Sequence, residues 1–131
     1  MCLTPDSTSK EIEPIALAIH SLLELPTTMR TKNKKGVRVE KSKIIDSNYT
    51  GPILEEVLVT EKVTRKIPRY GPYKGKAVIV VPIKSSDGNS TIAAIGVVDL
   101  LASLDMMSLF DEYPNILEEV ERAKKDLYSC G

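Results

Sequence analysis

The chain has 131 residues, of which 42% are hydrophobic and 27% charged, the balance of an ordinary globular domain rather than a disordered or fibrous segment. Eighteen basic and eighteen acidic side chains cancel, so net charge supplies no general attraction to nucleic acid. No apolar run reaches the roughly 20 residues that a membrane-crossing helix needs, so a membrane is not an expected partner.

The first residues, Met1-Cys2-Leu3-Thr4-Pro5-Asp6, lack the positive region and long apolar core of a signal peptide, and a cytoplasmic location is the expectation. Cys2 and Cys130 lie near the two ends with no C-x-x-C or Cys/His cluster beside them. They read as unreactive tail residues, and no metal site is indicated. Ser9 is in place to cap a helix over residues 10–25, where Ile12, Ile15, Ala16, Ile19, Leu22 and Leu23 recur at helical spacing and Pro26 ends the pattern. Leu17 and Leu25 widen its apolar surface. His20, the single histidine, lies inside this helix without a nucleophile or orienting acid at readable spacing, and reads as a partly buried helix residue.

Short strands follow at 27–31 and 37–39, joined by Asn33-Lys34-Lys35-Gly36, with a further strand at 43–46. Gly51-Pro52 opens a second helix, because proline is tolerated in a first turn; Ile53, Leu54, Val57, Leu58 and Val63 are its core candidates. The stretch from Pro68 to Gly75 is a loop by composition. Next come two apolar runs, Val78-Ile79-Val80-Val81 with Ile83, and Ile92 to Val98, joined through an Asp87-Gly88 turn. Neither run alternates apolar with polar, so both strands are expected to be covered on two faces and to sit centrally in an antiparallel sheet. Helical spacing returns after Asp99, at Leu100, Leu101, Leu104, Met107 and Phe110, and again at Ile116, Leu117, Val120, Ala123, Leu127 and Tyr128. Asp99 reads as the cap of the first of these. The fold class that results is α+β, a central antiparallel sheet flanked by helices, as one domain over 1–131 with loose tails at 1–8 and 129–131.

The chain resembles a small family of uncharacterised proteins from methanogenic archaea. The resemblance rests on Thr28-Met29-Arg30, Gly36-Val37-Arg38-Val39-Glu40, Tyr49-Thr50-Gly51-Pro52-Ile53-Leu54-Glu55, Gly71-Pro72-Tyr73-Lys74-Gly75 and Ile92 through Asp99. It implies a source and no chemistry. A looser likeness, through Val81-Pro82-Ile83, Asp87-Gly88 and Ile95-Gly96-Val97-Val98-Asp99, is to PAS, GAF and Cache sensor domains. That likeness implies a sheet flanked by helices and a small ligand held between them, here without an attached output module.

Gly71-Pro72-Tyr73-Lys74-Gly75-Lys76-Ala77 has the look of a P-loop but fails it. Three residues separate the glycines instead of four, Ala77 stands where Ser or Thr is needed, and a strand follows. The loop reads as a strand entry, or as a pocket lid with Tyr70 and Tyr73 as flat amphipathic walls. Arg30, Lys32, Lys34, Lys35, Arg38, Lys41 and Lys43 stand against the single acid Glu40. This is either a solvated edge that blocks sheet-to-sheet pairing or an anion contact; no aromatic residue lies among them to stack on a base, so nucleic acid is not expected. Arg30 and Arg38 are the candidates for anion recognition, because guanidinium forks bind carboxylates and phosphates bidentately.

The leading expectation is therefore a non-enzymatic domain that binds a small anionic ligand through Arg30, Arg38, Tyr70 and Tyr73, with no catalytic residue assigned and no cofactor named. It would act as a homodimer or through a separate output protein. A ligand-free protein–protein adaptor is the alternative, and it predicts a sheet-to-helix space filled by side chains together with an exposed apolar helix stripe. An enzyme ranks third, since no carboxylate pair, metal cluster or dinucleotide fingerprint occurs.

Overall fold

Helix α1 spans Ser9–Leu23 in the computed structural model, which describes residues 2–99 of the chain. Its cap is Thr8 rather than Ser9. The Thr8 hydroxyl accepts from the Glu11 backbone N–H, and the Glu11 carboxylate accepts from the Thr8 N–H at 3.0 Å, a reciprocal box that Ser9 cannot form. The helix also stops two residues before the predicted end. Glu24 turns into the left-handed region at φ 57° and donates to the His20 carbonyl, leaving the Leu25 carbonyl free to accept from Thr27 Oγ1 at 2.9 Å.

Strands β1 (Thr27–Thr31), β2 (Gly36–Glu40) and β3 (Lys43–Tyr49) follow, then helix α2 (Pro52–Thr60). A short β4 (Thr64–Lys66) precedes β5 (Val78–Lys84) and β6 (Thr91–Val98). β3 runs three residues past the predicted strand, and β4 falls between the second helix and the loop at 68–75, where the sequence pattern assigns no element. The β-branched residues Val59, Thr60 and Val63 blur that boundary in the sequence; in the structure Glu61 closes α2 in a left-handed conformation at φ 61°. The helices predicted over 100–110 and 116–128, together with Cys130 and the tail at 129–131, lie outside the described residues. Residues 4–8 are tied down: Ser7 is buried, its carbonyl accepts from Thr31 Oγ1 at 2.7 Å, and Asp6 accepts from Asn33 at 2.9 Å.

All six strands form one antiparallel sheet in the order β3-β2-β1-β6-β5-β4, an α+β fold. The apolar strand β6 is central, as its sequence predicts. The two helices lie on opposite faces and toward opposite ends. α1 packs on β1, β2 and β3, and its Ile12 and Ala16 meet Met29, Val37, Val39 and Ala93. α2 packs on β4, β5 and β6, with Leu54 and Val57 against Val78, Val80, Ala94 and Val98. This diagonal arrangement leaves part of each face less covered than a fully buried strand pair. Among the described residues Ile79, Val81, Ile95 and Val97 point to the α1 side but are only half-buried, so the expectation of full cover on both faces holds on the α2 side at Val78, Val80, Ala94, Gly96 and Val98 and not on the α1 side. Among the described residues no helix is long and apolar enough to cross a membrane.

Two glycine-related substitutions test this backbone in opposite directions. Glu24→Gly removes the cost of a left-handed non-glycine residue and should raise stability by roughly 0.5–1 kcal/mol. Gly36→Ala drives a methyl group into the Met29 carbonyl and the Arg30 backbone, and should cost more than about 2 kcal/mol. Urea unfolding followed by far-ultraviolet circular dichroism measures both.

Candidate functional site

Arg38 and Glu40 are two residues apart on β2, which places both side chains on the α2 face of the sheet. The loop between β4 and β5 folds over them. Gly71 and Gly75 adopt φ of 92° and 80°, and Gly75 N–H donates to the Pro68 carbonyl at 3.2 Å, closing the loop so that Tyr73 points inward. Tyr73 is only 5% exposed. Its hydroxyl donates to Glu40 Oε2 at 2.9 Å and accepts from Arg38 Nε at 3.1 Å, while Arg38 Nη2 donates to the same Glu40 oxygen at 2.9 Å. The guanidinium carbon lies 5.2 Å from the Tyr73 ring centroid, within cation–π range.

The electrostatics of this triad follow from burial and pairing. Burial resists ionisation of Glu40, but the hydrogen bonds from Tyr73 and Arg38 outweigh it and hold the carboxyl below the usual glutamate range. Burial, reinforced by the hydrogen bond to Glu40, pushes the Tyr73 hydroxyl well above its ordinary value, so Tyr73 serves as a proton donor to a carboxylate and not as a base. Burial likewise raises the neighbouring Tyr49 hydroxyl. The arrangement closes on itself: each charged group has its partner within the triad.

The other two candidates sit apart from it. Arg30 is spread over three acceptors, with Nε to the Thr31 carbonyl at 3.0 Å, Nη1 to Thr50 Oγ1 at 2.8 Å and Nη2 to the Lys32 carbonyl at 3.1 Å. It ties β1 to the segment that enters α2, with Glu55 a further 3.8 Å ion-pair partner. Tyr70 is 63% exposed. It shares with Tyr73, Pro52 and Leu54 the lining of a space between the sheet, α2 and the loop, whose volume of about 20 Å³ holds roughly one water. The structure thus brings Arg38 and Tyr73 together, places Tyr70 near Tyr73, and leaves Arg30 separate.

Two features escaped sequence reasoning. Glu40 counted only as the lone acid in a basic run, although its i, i+2 relation to Arg38 on a strand signals a same-face pair. The second is a groove of about 260 Å³ on the opposite face, walled by Ile19 and Leu23 of α1 and floored by Ile79, Val81, Ile95 and Val97. Among the described residues no group of three or more His, Cys, Asp or Glu side chains is placed to hold a metal ion.

A family model described as an uncharacterised protein conserved in archaea (DUF2111) matches residues 19–101, a span that holds the triad, both walls of the groove and all six strands. The chain belongs to this family. It is also similar to the uncharacterised protein MJ0405 of Methanocaldococcus jannaschii, 47% identical over 103 residues that cover 78% of this chain and 77% of the relative.

The triad makes a direct prediction for the family fold. Tyr73→Phe keeps the ring but deletes the hydroxyl, and should destabilise by about 1–3 kcal/mol, since a half-buried carboxylate and guanidinium each lose a partner. The sign of the pH dependence follows from the lowered Glu40 group. Its contribution is complete above the ordinary value of 4.5 and is lost as pH falls below it toward the depressed folded value. Chemical unfolding between pH 7 and pH 3 should show this loss in the wild type and a smaller one in Glu40→Gln.

Proposed function

We propose that the described unit is a non-enzymatic protein–protein interaction module that docks a second copy of itself through the open apolar face of β5 and β6. One observation carries this reading: among the described residues α1 packs chiefly on β1–β3 and reaches β6 through Ala93, and leaves Ile79, Val81, Ile95 and Val97 half-buried as an apolar floor beside Ile19 and Leu23, the latter 46% exposed. Each such side chain, when fully buried, contributes about 1.5–3 kcal/mol, so a cluster left half-buried among the described residues is a candidate docking face.

A second copy fits this face for reasons of charge. A twofold axis sets a patch against itself, so any net charge on it would meet the same charge across the interface. The floor and wall residues Ile19, Leu23, Ile79, Val81, Ile95 and Val97 are all uncharged and apolar, and such a surface is self-complementary. The face of the sheet under α2 offers less to a ligand. A sensor of PAS, GAF or Cache type would hold its ligand between sheet and helix, where the space here takes about one water. The anion candidates Arg30 and Arg38 direct their donors to protein acceptors, which supports interaction over anion sensing.

Native mass spectrometry with light scattering tests the proposal. The expected result is a species of twice the 14.4 kDa chain mass with no retained adduct. Val81→Lys, which sets like charges against each other across the axis, should shift it to monomer with an unchanged circular dichroism spectrum. A wild-type monomer, or a monomer that releases a small molecule on denaturation, would overturn the proposal, the latter in favour of ligand binding.

A further inference from the structure

His20 is 6% exposed, and both of its ring nitrogens bond to backbone. Nε2 lies 2.9 Å from the Ser42 nitrogen, and Nδ1 lies 2.7 Å from the Leu25 carbonyl oxygen. These partners fix the tautomer. A backbone N–H can only donate, so Nε2 carries no proton; a carbonyl can only accept, so Nδ1 carries one. The ring therefore joins the last turn of α1 to the two-residue turn between β2 and β3, where Lys41 and Ser42 both stand in the left-handed region at φ 51° and 65°. The sequence placed His20 on a helix but gave no sign of this link, because Leu25 and Ser42 contribute only backbone atoms.

We propose that His20 is a proton-sensitive staple, and that protonating it releases the C-terminal turn of α1 from the β2–β3 turn. A proton on Nε2 would set a donor against the Ser42 N–H, breaking that bond and leaving a cation among buried groups. The charged residues on the surrounding elements are Lys41, Lys43, Glu40 and Glu24. Lys41 and Lys43 flank Ser42 on the turn, and Glu40 beside them is committed to Arg38 and Tyr73. Glu24 follows on the α1 end, and among the described residues no carboxylate lies within 4.0 Å of either ring nitrogen. Ile19 and Leu23, on either side of His20 along the helix, form the α1 wall of the apolar groove, so release of this turn remodels that wall. The staple itself is independent of whether a second copy occupies the groove.

The test is nitrogen-15 NMR of the full chain between pH 7.5 and pH 5.0, which reads the protonation state of each ring nitrogen directly. The expected result is an Nδ1–H tautomer for His20 at pH 7.5. Acidification should then lower the exchange protection of the Ser42 amide at least tenfold more than that of Met29 in the β1 core, after correction for intrinsic exchange. His20→Gln, which does not titrate, should abolish the pH dependence at Ser42. An Nε2–H tautomer at pH 7.5, or Ser42 protection that follows Met29 throughout, overturns the proposal. Both decisive readouts come from the wild-type chain, so they stand even if the variant does not fold, and neither depends on oligomeric state.

Discussion

The pairing of β1 with β6 joins residues from opposite ends of the described chain, Thr27 to Val97 and Thr31 to Ala93, and everything else hangs from that seam. On one side of it α1, β1, β2 and β3 form a run of chain with local antiparallel turns. On the other, α2, β4, β5 and β6 do the same. Gly96 sits on the seam opposite Thr28, and a side chain there would collide with Val80 and crowd the Thr28 hydroxyl, so the close approach of three strands depends on glycine at this position. The helices fall on opposite faces, and each covers the strands of its own half. Among the described residues, the half-buried face of β5 and β6 is a direct result.

Polar groups that the fold buries are consistently matched. Thr27 and Thr31 are fully buried, and their hydroxyls donate to the Leu25 and Ser7 carbonyls. Among the described residues no buried side-chain nitrogen or oxygen lacks a partner. The same rule shapes the Arg38–Glu40–Tyr73 cluster, whose hydrogen bonds hold the β4–β5 loop onto β2. A guanidinium and a carboxylate in contact with a buried phenol form a strut between distant parts of the chain. That role agrees with the small volume left beside it.

Much of this fold was legible in the residues. The density of β-branched side chains in Val78–Val81 and Ile92–Val98 identified the hairpin and the central position of β6, because buried strands need no polar alternation. Proline at position 52 and the Thr8–Glu11 spacing mark helix starts through local chemistry that sequence displays, although the second was assigned one residue late. Legibility ended where the outcome depended on contacts between distant segments. β4 is three residues long and exists because β5 offers it an edge. The union of Arg38 with Tyr73 requires a loop closure that spacing does not announce, and the half-open groove depends on where α1 lies across the sheet. A continuous apolar run looks the same whether its second face meets a helix or lies at a groove.

The sheet also acts as a partition. Ile12, Ala16, Met29, Val37 and Val39 pack on one side, and Leu54, Val57, Val78, Val80 and Val98 on the other, with few side chains shared between the two clusters. Among the described residues, Gly96 and the strand backbone lie between the two clusters. Pairs of core substitutions drawn from opposite sides should therefore combine additively, while pairs from one side compensate or conflict. The two faces of this domain can therefore accommodate substitutions independently of each other.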